Sequence, residues 1–176
     1  VASGFKLMDG HLKSHLELLP FFVARRYRVV LLIRLNSLQQ ALSKHVAEHR
    51  GQYHSGTELE PKAIALNPQT FIAYIEQLER RKRRLKRLMR VLPIQCLTVT
   101  YENMVEDANS VLDDVAQFLS ISPARHETST FMRINKSEPA ELIANYGEIA
   151  ELVESAGYSH FLNMPERGNL VGCAFR

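Results

Sequence analysis

The spacing of apolar positions changes several times along the chain, and each change marks an element. Arg28–Arg34 (RVVLLIR) holds a continuous, branched apolar run that predicts a buried strand of a parallel sheet. Ahead of it, Gly4–Met8 predicts a short strand, and His11–Leu19 a helix that ends near Pro20. Behind it, Asn36 or Ser37 is placed to cap a helix running to about His49, in which Leu38, Ala41, Leu42 and Val46 recur at helical spacing. Between Gln69 and Leu92 the apolar residues Phe71, Ile75, Leu78, Leu85, Met89 and Leu92 follow the same period, interrupted by Lys82, which predicts a helix about 35 Å long. Pro93 stops it, and Ile94–Thr100 predicts a third strand leading into Tyr101. Two further helices are predicted, over Asn109–Leu119 and Ile149–Ala156. Gly51–Pro68, Ser120–Ser137 and the tail from Asn163 keep no sustained period and read as irregular. Strands alternating with helices predict an α/β fold, a parallel sheet flanked by helices, with ligands bound beyond the C-terminal strand ends, where Arg34 and Tyr101 stand.

Length and composition narrow this picture. With 176 residues, 45% of them hydrophobic, the chain suits one domain, expected over residues 1–162 with a C-terminal tail at 163–176. A charged fraction of 23%, with 8 Gly and 7 Pro, excludes collagen-like, low-complexity and wholly disordered classes. No apolar run approaches the roughly 20 residues of a membrane-spanning helix. Cys96 and Cys173 form no CxxC pattern, which favours free thiols and predicts a cytoplasmic protein. The chain opens on Val1 without a signal-peptide pattern, and the expectation is a fragment with sequence missing upstream.

Charge is local rather than global. Arg80–Arg90 (RRKRRLKRLMR) carries eight basic residues and no acidic one, so setting these aside from a net charge of +3 leaves the rest of the chain at −5. Three uses fit such a run: a solvated helix face, a dock for an anionic polymer or membrane, or a nucleic-acid contact. The lack of interleaved aromatics counts against single-stranded nucleic acid, which stacks on aromatic platforms.

Among residues with chemistry to offer, Arg34 ends a strand and Ser43 follows nine positions later in the next helix. A guanidinium fork and a hydroxyl so spaced suit an anion such as a phosphate, while an arginine at a strand end also suits solvent or a carboxylate. His45 and His49 with Glu48 stand on one helix at a spacing seen in zinc sites, but no third ligand is evident, and no metal is expected.

Several of these segments, taken in order, resemble one family. GFKLMDGH followed by RVVLLIRLNSLQQALSKHVA is similar to sulfotransferases that use 3'-phosphoadenosine 5'-phosphosulfate, especially bacterial carbohydrate-modifying and nodulation types. The resemblance continues through Val99-Thr-Tyr-Glu-Asn-Met104, through Thr128-Ser-Thr-Phe-Met132 with Lys136, and through Glu141–Tyr146. Arg167-Gly168 followed by Gly172 resembles a segment that closes over the 3'-phosphate.

The resemblance implies a P-loop-like sulfotransferase fold in which Arg34 and Ser43 hold the 3'-phosphate, together with Arg167 and Gly168. It also implies that Tyr101 and Phe131 border the adenine and that the acidic residue after Tyr101 organises the strand end. His11 or His15 is implied as the base, the latter through Lys13-Ser-His-Leu-Glu-Leu-Leu-Pro20, and Lys6 matches the lysine of the Gly-Phe-Lys segment. The family's opening strand and phosphosulfate-binding loop have no counterpart here, so the fold is expected to be truncated at its N-terminal end. Ser55-Gly56-Thr57 lacks the preceding strand that such a loop needs, and reads as loop. The implied activity is transfer of a sulfuryl group to a hydroxyl of a carbohydrate or glycolipid. The alternative is a non-catalytic, sulfotransferase-like module that holds an acidic partner through residues 80–90.

Overall fold

The computed structural model describes residues 3–51, 63–122 and 139–163. Two short helices open this part of the chain, α1 (Asp9–Ser14) and α2 (Leu18–Ala24), followed by strand β1 (Arg28–Ile33). Helix α3 (Ser37–Arg50) is capped by Asn36, whose side-chain oxygen accepts the Gln39 N–H at 3.0 Å, and it ends at Gly51 with φ +64°. Helix α4 (Pro68–Val91) begins with Asn67 accepting the Thr70 N–H at 2.9 Å and with proline at its first position, where no N–H is needed. Strand β2 (Gln95–Thr100) runs into α5 (Tyr101–Glu106), with Thr100 as its cap, and Asp107 then caps α6 (Ala108–Leu119). Helices α7 (Pro139–Leu142) and α8 (Tyr146–Ser155) and a 3₁₀ turn over Ser159–Phe161 complete the described chain.

The fold is mixed α/β, with a small two-stranded parallel sheet and several helices. β1 and β2 pair in parallel from Arg28 opposite Gln95 to Ile33 opposite Thr100. Arg28 locks the start of this register by donating to the Gln95 side chain at 3.0 Å. It also donates to the Phe118 carbonyl and the Ser120 hydroxyl, where its charge meets the C-terminal end of α6.

Among the described residues the chain divides into two compact units, one of residues 3–35 and 80–122, the other of 36–51, 63–79 and 139–163. The second unit holds the main apolar core. Leu38, Ala41, Leu42 and Val46 of α3 and Phe71, Ile72, Ile75 and Leu78 of α4 cluster with Leu142, Ile143, Ile149, Val153 and Phe161. A parallel bridge between Ile64 and Ile143 closes it, and Asn145 reinforces the bridge by hydrogen-bonding both the N–H and the carbonyl of Leu66.

Three sequence expectations are corrected here. Gly4–Met8 forms no strand, because Phe5 turns its ring onto Phe22 and Tyr27, with centroids 6.0 Å away in each case, instead of joining a ladder. The helix expected over His11–Leu19 is two helices, broken at His15, and Pro20 lies in the first turn of α2, a position that tolerates proline. β1 is not buried on both faces, since Leu32 is 57% exposed and Val30 is also open to solvent, while Ile33 is buried. Of the segments expected to be irregular, residues 52–62 (with Ser55–Thr57), 123–138 and the tail from residue 164 lie outside the described residues.

Candidate functional site at the strand ends

Parallel strands end on the same side, so the residues following β1 and β2 become neighbours although 67 positions separate them. Arg34 follows β1 and Tyr101 follows β2, and the Arg34 guanidinium lies 4.6 Å from the centre of the Tyr101 ring. This is stacking distance for a cation on an aromatic face, which orients the planar fork.

Two further side chains hold the backbone beneath the arginine. Glu102, only 3% exposed, directs both carboxylate oxygens at the Leu35 N–H, at 2.9 and 3.0 Å. Lys82 of α4 donates its ammonium to the carbonyls of Arg34 and Leu35, at 3.0 and 2.8 Å. An anion thus grips the donor and a cation the acceptors of one turn. Charge-assisted bonds of this kind are about twice as strong as neutral ones, so the backbone that carries Arg34 is firmly positioned. The part played by Lys82 was missed in the sequence, although a signal existed: a lysine interrupting the apolar stripe of a helix has to find oxygen acceptors on its buried side.

Ser43 belongs to the other unit. It donates its hydroxyl to the Gln39 carbonyl at 2.8 Å, so giving that proton to a ligand requires the side chain to rotate first. His11 is exposed on α1, and His15, at the end of the same helix, is exposed as well. His15 Nδ1 lies 2.9 Å from a carboxylate oxygen of Glu17. A carboxylate only accepts, so this contact puts the proton on Nδ1 and leaves Nε2 of the neutral ring as an acceptor. Hydrogen bonds from its own backbone and from His15 hold the Glu17 carboxyl below its ordinary range. Lys6 is exposed in the segment before α1. Phe131, Lys136, Arg167 and Gly168 lie outside the described residues.

His45 plays a packing role, since its Nδ1 donates to the Ala41 carbonyl and its ring meets Phe71 and Tyr74 edge-on. Among the described residues no group of three His, Cys, Asp or Glu side chains is placed to hold a metal ion. Among them, too, no helix is long and apolar enough to cross a membrane. Compared with protein-family models, curated proteins and solved structures, the chain matches none.

Proposed function

We propose that the chain is a sulfotransferase of the class that uses 3'-phosphoadenosine 5'-phosphosulfate, with a P-loop-like fold and a carbohydrate or glycolipid hydroxyl as acceptor. The observation that carries this reading is the meeting of Arg34 and Tyr101 at the C-terminal end of a parallel strand pair, over backbone held by Glu102 and Lys82. In this reading the Arg34 fork binds the 3'-phosphate and Tyr101 borders the adenine. Of the two candidate bases, His15 is favoured, because Glu17 fixes its tautomer with Nε2 free to take a proton. That nitrogen accepts the hydroxyl proton as the acceptor oxygen forms its bond to sulfur. The bond from sulfur to the bridging phosphate oxygen breaks, and 3'-phosphoadenosine 5'-phosphate departs.

Calorimetric titration with 3'-phosphoadenosine 5'-phosphate tests this directly, with AMP as the control lacking the 3'-phosphate. Arg34→Ala is expected to weaken binding by about 1.5–3 kcal/mol, the worth of hydrogen bonds to a charged group. Equal affinity for both nucleotides, or an unchanged Arg34→Ala variant, overturns the reading. The second reading, a non-catalytic module for an acidic partner, is supported by the exposure of seven of the eight basic side chains between Arg80 and Arg90.

A further inference from the structure

Among the described residues, every large apolar side chain that remains exposed belongs to the unit of residues 3–35 and 80–122. Two of them, Phe5 at 58% and Phe21 at 44% exposure, join one aromatic cluster through Tyr27, whose ring centre lies 6.0 Å from the first and 5.6 Å from the second. Arg25 lies over the Phe21 ring, and Lys6 and Arg26 are exposed beside the same cluster in sequence. The patch is therefore aromatic in the middle and cationic around it.

The basic half of α4 lies close by. Asp9, at the start of α1, pairs with Arg81 at 3.6 Å, and Met8, itself half exposed, immediately precedes it. Phe5 is four residues from that ion pair, so its backbone lies within about 14 Å of Asp9. Arg80, Arg81, Arg83, Arg84, Lys86, Arg87 and Arg90 are all exposed, and no acidic residue occurs between Arg80 and Tyr101. Arg80, Arg83, Arg84, Arg87 and Arg90 fall within roughly one third of the helix circumference and over about 15 Å of its length.

We propose that this unit docks on an anionic lipid bilayer, with the basic half of α4 drawn to the acidic headgroups and the Phe5–Phe21 cluster entering the interface. A soluble polyanion would account for the arginines but leave the exposed aromatic side chains in water. A lipid surface uses both, because interfacial binding combines buried apolar area with attraction to anionic headgroups. The inference narrows the acidic-partner reading to one partner and is independent of nucleotide binding.

The test is flotation with vesicles of phosphatidylcholine, alone or mixed with phosphatidylserine, with heparin and duplex DNA as competing polymers. The intact chain is expected to float only with the mixed vesicles. Reversing charge at Arg83, Arg84 and Arg87 to Glu together should weaken this at least tenfold, since each cation near such a surface contributes on the order of 1 kcal/mol. Phe5→Ser with Phe21→Ser should also weaken it several-fold at unchanged net charge, with circular dichroism confirming the fold. Because the chain has no tryptophan, Phe5→Trp supplies a single reporter whose emission should shift to the blue on mixed vesicles. Heparin or DNA binding without vesicle binding keeps the acidic-partner reading and overturns the lipid surface. Absence of all three kinds of binding overturns both, and vesicle binding that ignores the Phe5 and Phe21 changes, with no shift of the reporter, overturns the aromatic anchor and the proposal with it.

Discussion

The two units spend their apolar residues differently. In residues 36–51, 63–79 and 139–163 the apolar side chains of α3, α4, α7 and α8 close on one another, and Phe71, Ile75, Leu142, Ile149 and Val153 are all but sealed from water. In residues 3–35 and 80–122 the buried apolar set is small, with Leu12, Phe22, Ile33, Val99 and Ala116, while Phe5, Leu16, Phe21, Leu32 and Val91 remain exposed. The second unit holds itself together by burial. The first relies more on charged and polar clamps: Arg28 across the strand starts and α6, and Glu102 with Lys82 at the strand ends. The candidate residues Arg34 and Tyr101 lie in the clamped unit, and apolar burial is concentrated in the other.

Substitutions sharpen that contrast. The largest effect is expected from Ile75→Ala, which leaves a cavity at a fully buried site and should cost about 2–5 kcal/mol in urea unfolding. Leu32→Ala, at a 57% exposed site of the other unit, should stay within about 0.5 kcal/mol in the same assay. Comparable losses at both sites would break the comparison.

A smaller effect is expected from Glu102→Ala. Removing both acceptors of the Leu35 N–H should cost about 1–3 kcal/mol and speed hydrogen exchange at that amide. If stability falls but the amide stays protected, the clamp is not what holds the turn.

The smallest effect concerns Cys96, opposite Val29 in the sheet. Burial pushes its thiol above the ordinary range, only partly offset by a hydrogen bond from the Leu31 backbone. The folded chain therefore keeps this proton to higher pH than the unfolded chain. The resulting stability is complete below the unfolded thiol's pKa and is lost as pH rises through the folded value. In a Cys173→Ser background, alkylation of Cys96 by iodoacetamide should reach its half-maximal rate at a higher pH in the native protein than in urea. Coincident profiles would show a strand open to water along its whole length.

Part of the candidate site was legible in the sequence. Arg34 and Tyr101 were readable because each ends a strand-like run, and the ends of parallel strands are where α/β sheets bind ligands. Their stacking was not readable, since it depends on the register of two strands 67 residues apart. Lys82 was visible only as an interruption in a helical stripe, and its partners, the carbonyls of Arg34 and Leu35, lie more than 45 residues away. Ser43, linked to Arg34 in the sequence by spacing alone, is engaged within its own helix and belongs to the other unit.

The local pattern was enough to place β1, α3, α4, β2, α6 and α8, a cap at Asn36 or Ser37, and the apolar faces of α3 and of the first half of α4, and the structure resolves the cap to Asn36. Each of these rests on interactions within a turn or two of helix, or on a short apolar, branched run along one strand. It took the tertiary structure to show that Gly4–Met8 does not join the sheet, that one face of β1 meets water, that α4 buries apolar side chains along its first half while its basic second half is largely exposed, and that Glu102 and Lys82 share one turn. A strand needs a partner and a charge needs a counter-group, and both are supplied by residues distant in sequence, whose placement a local pattern does not contain.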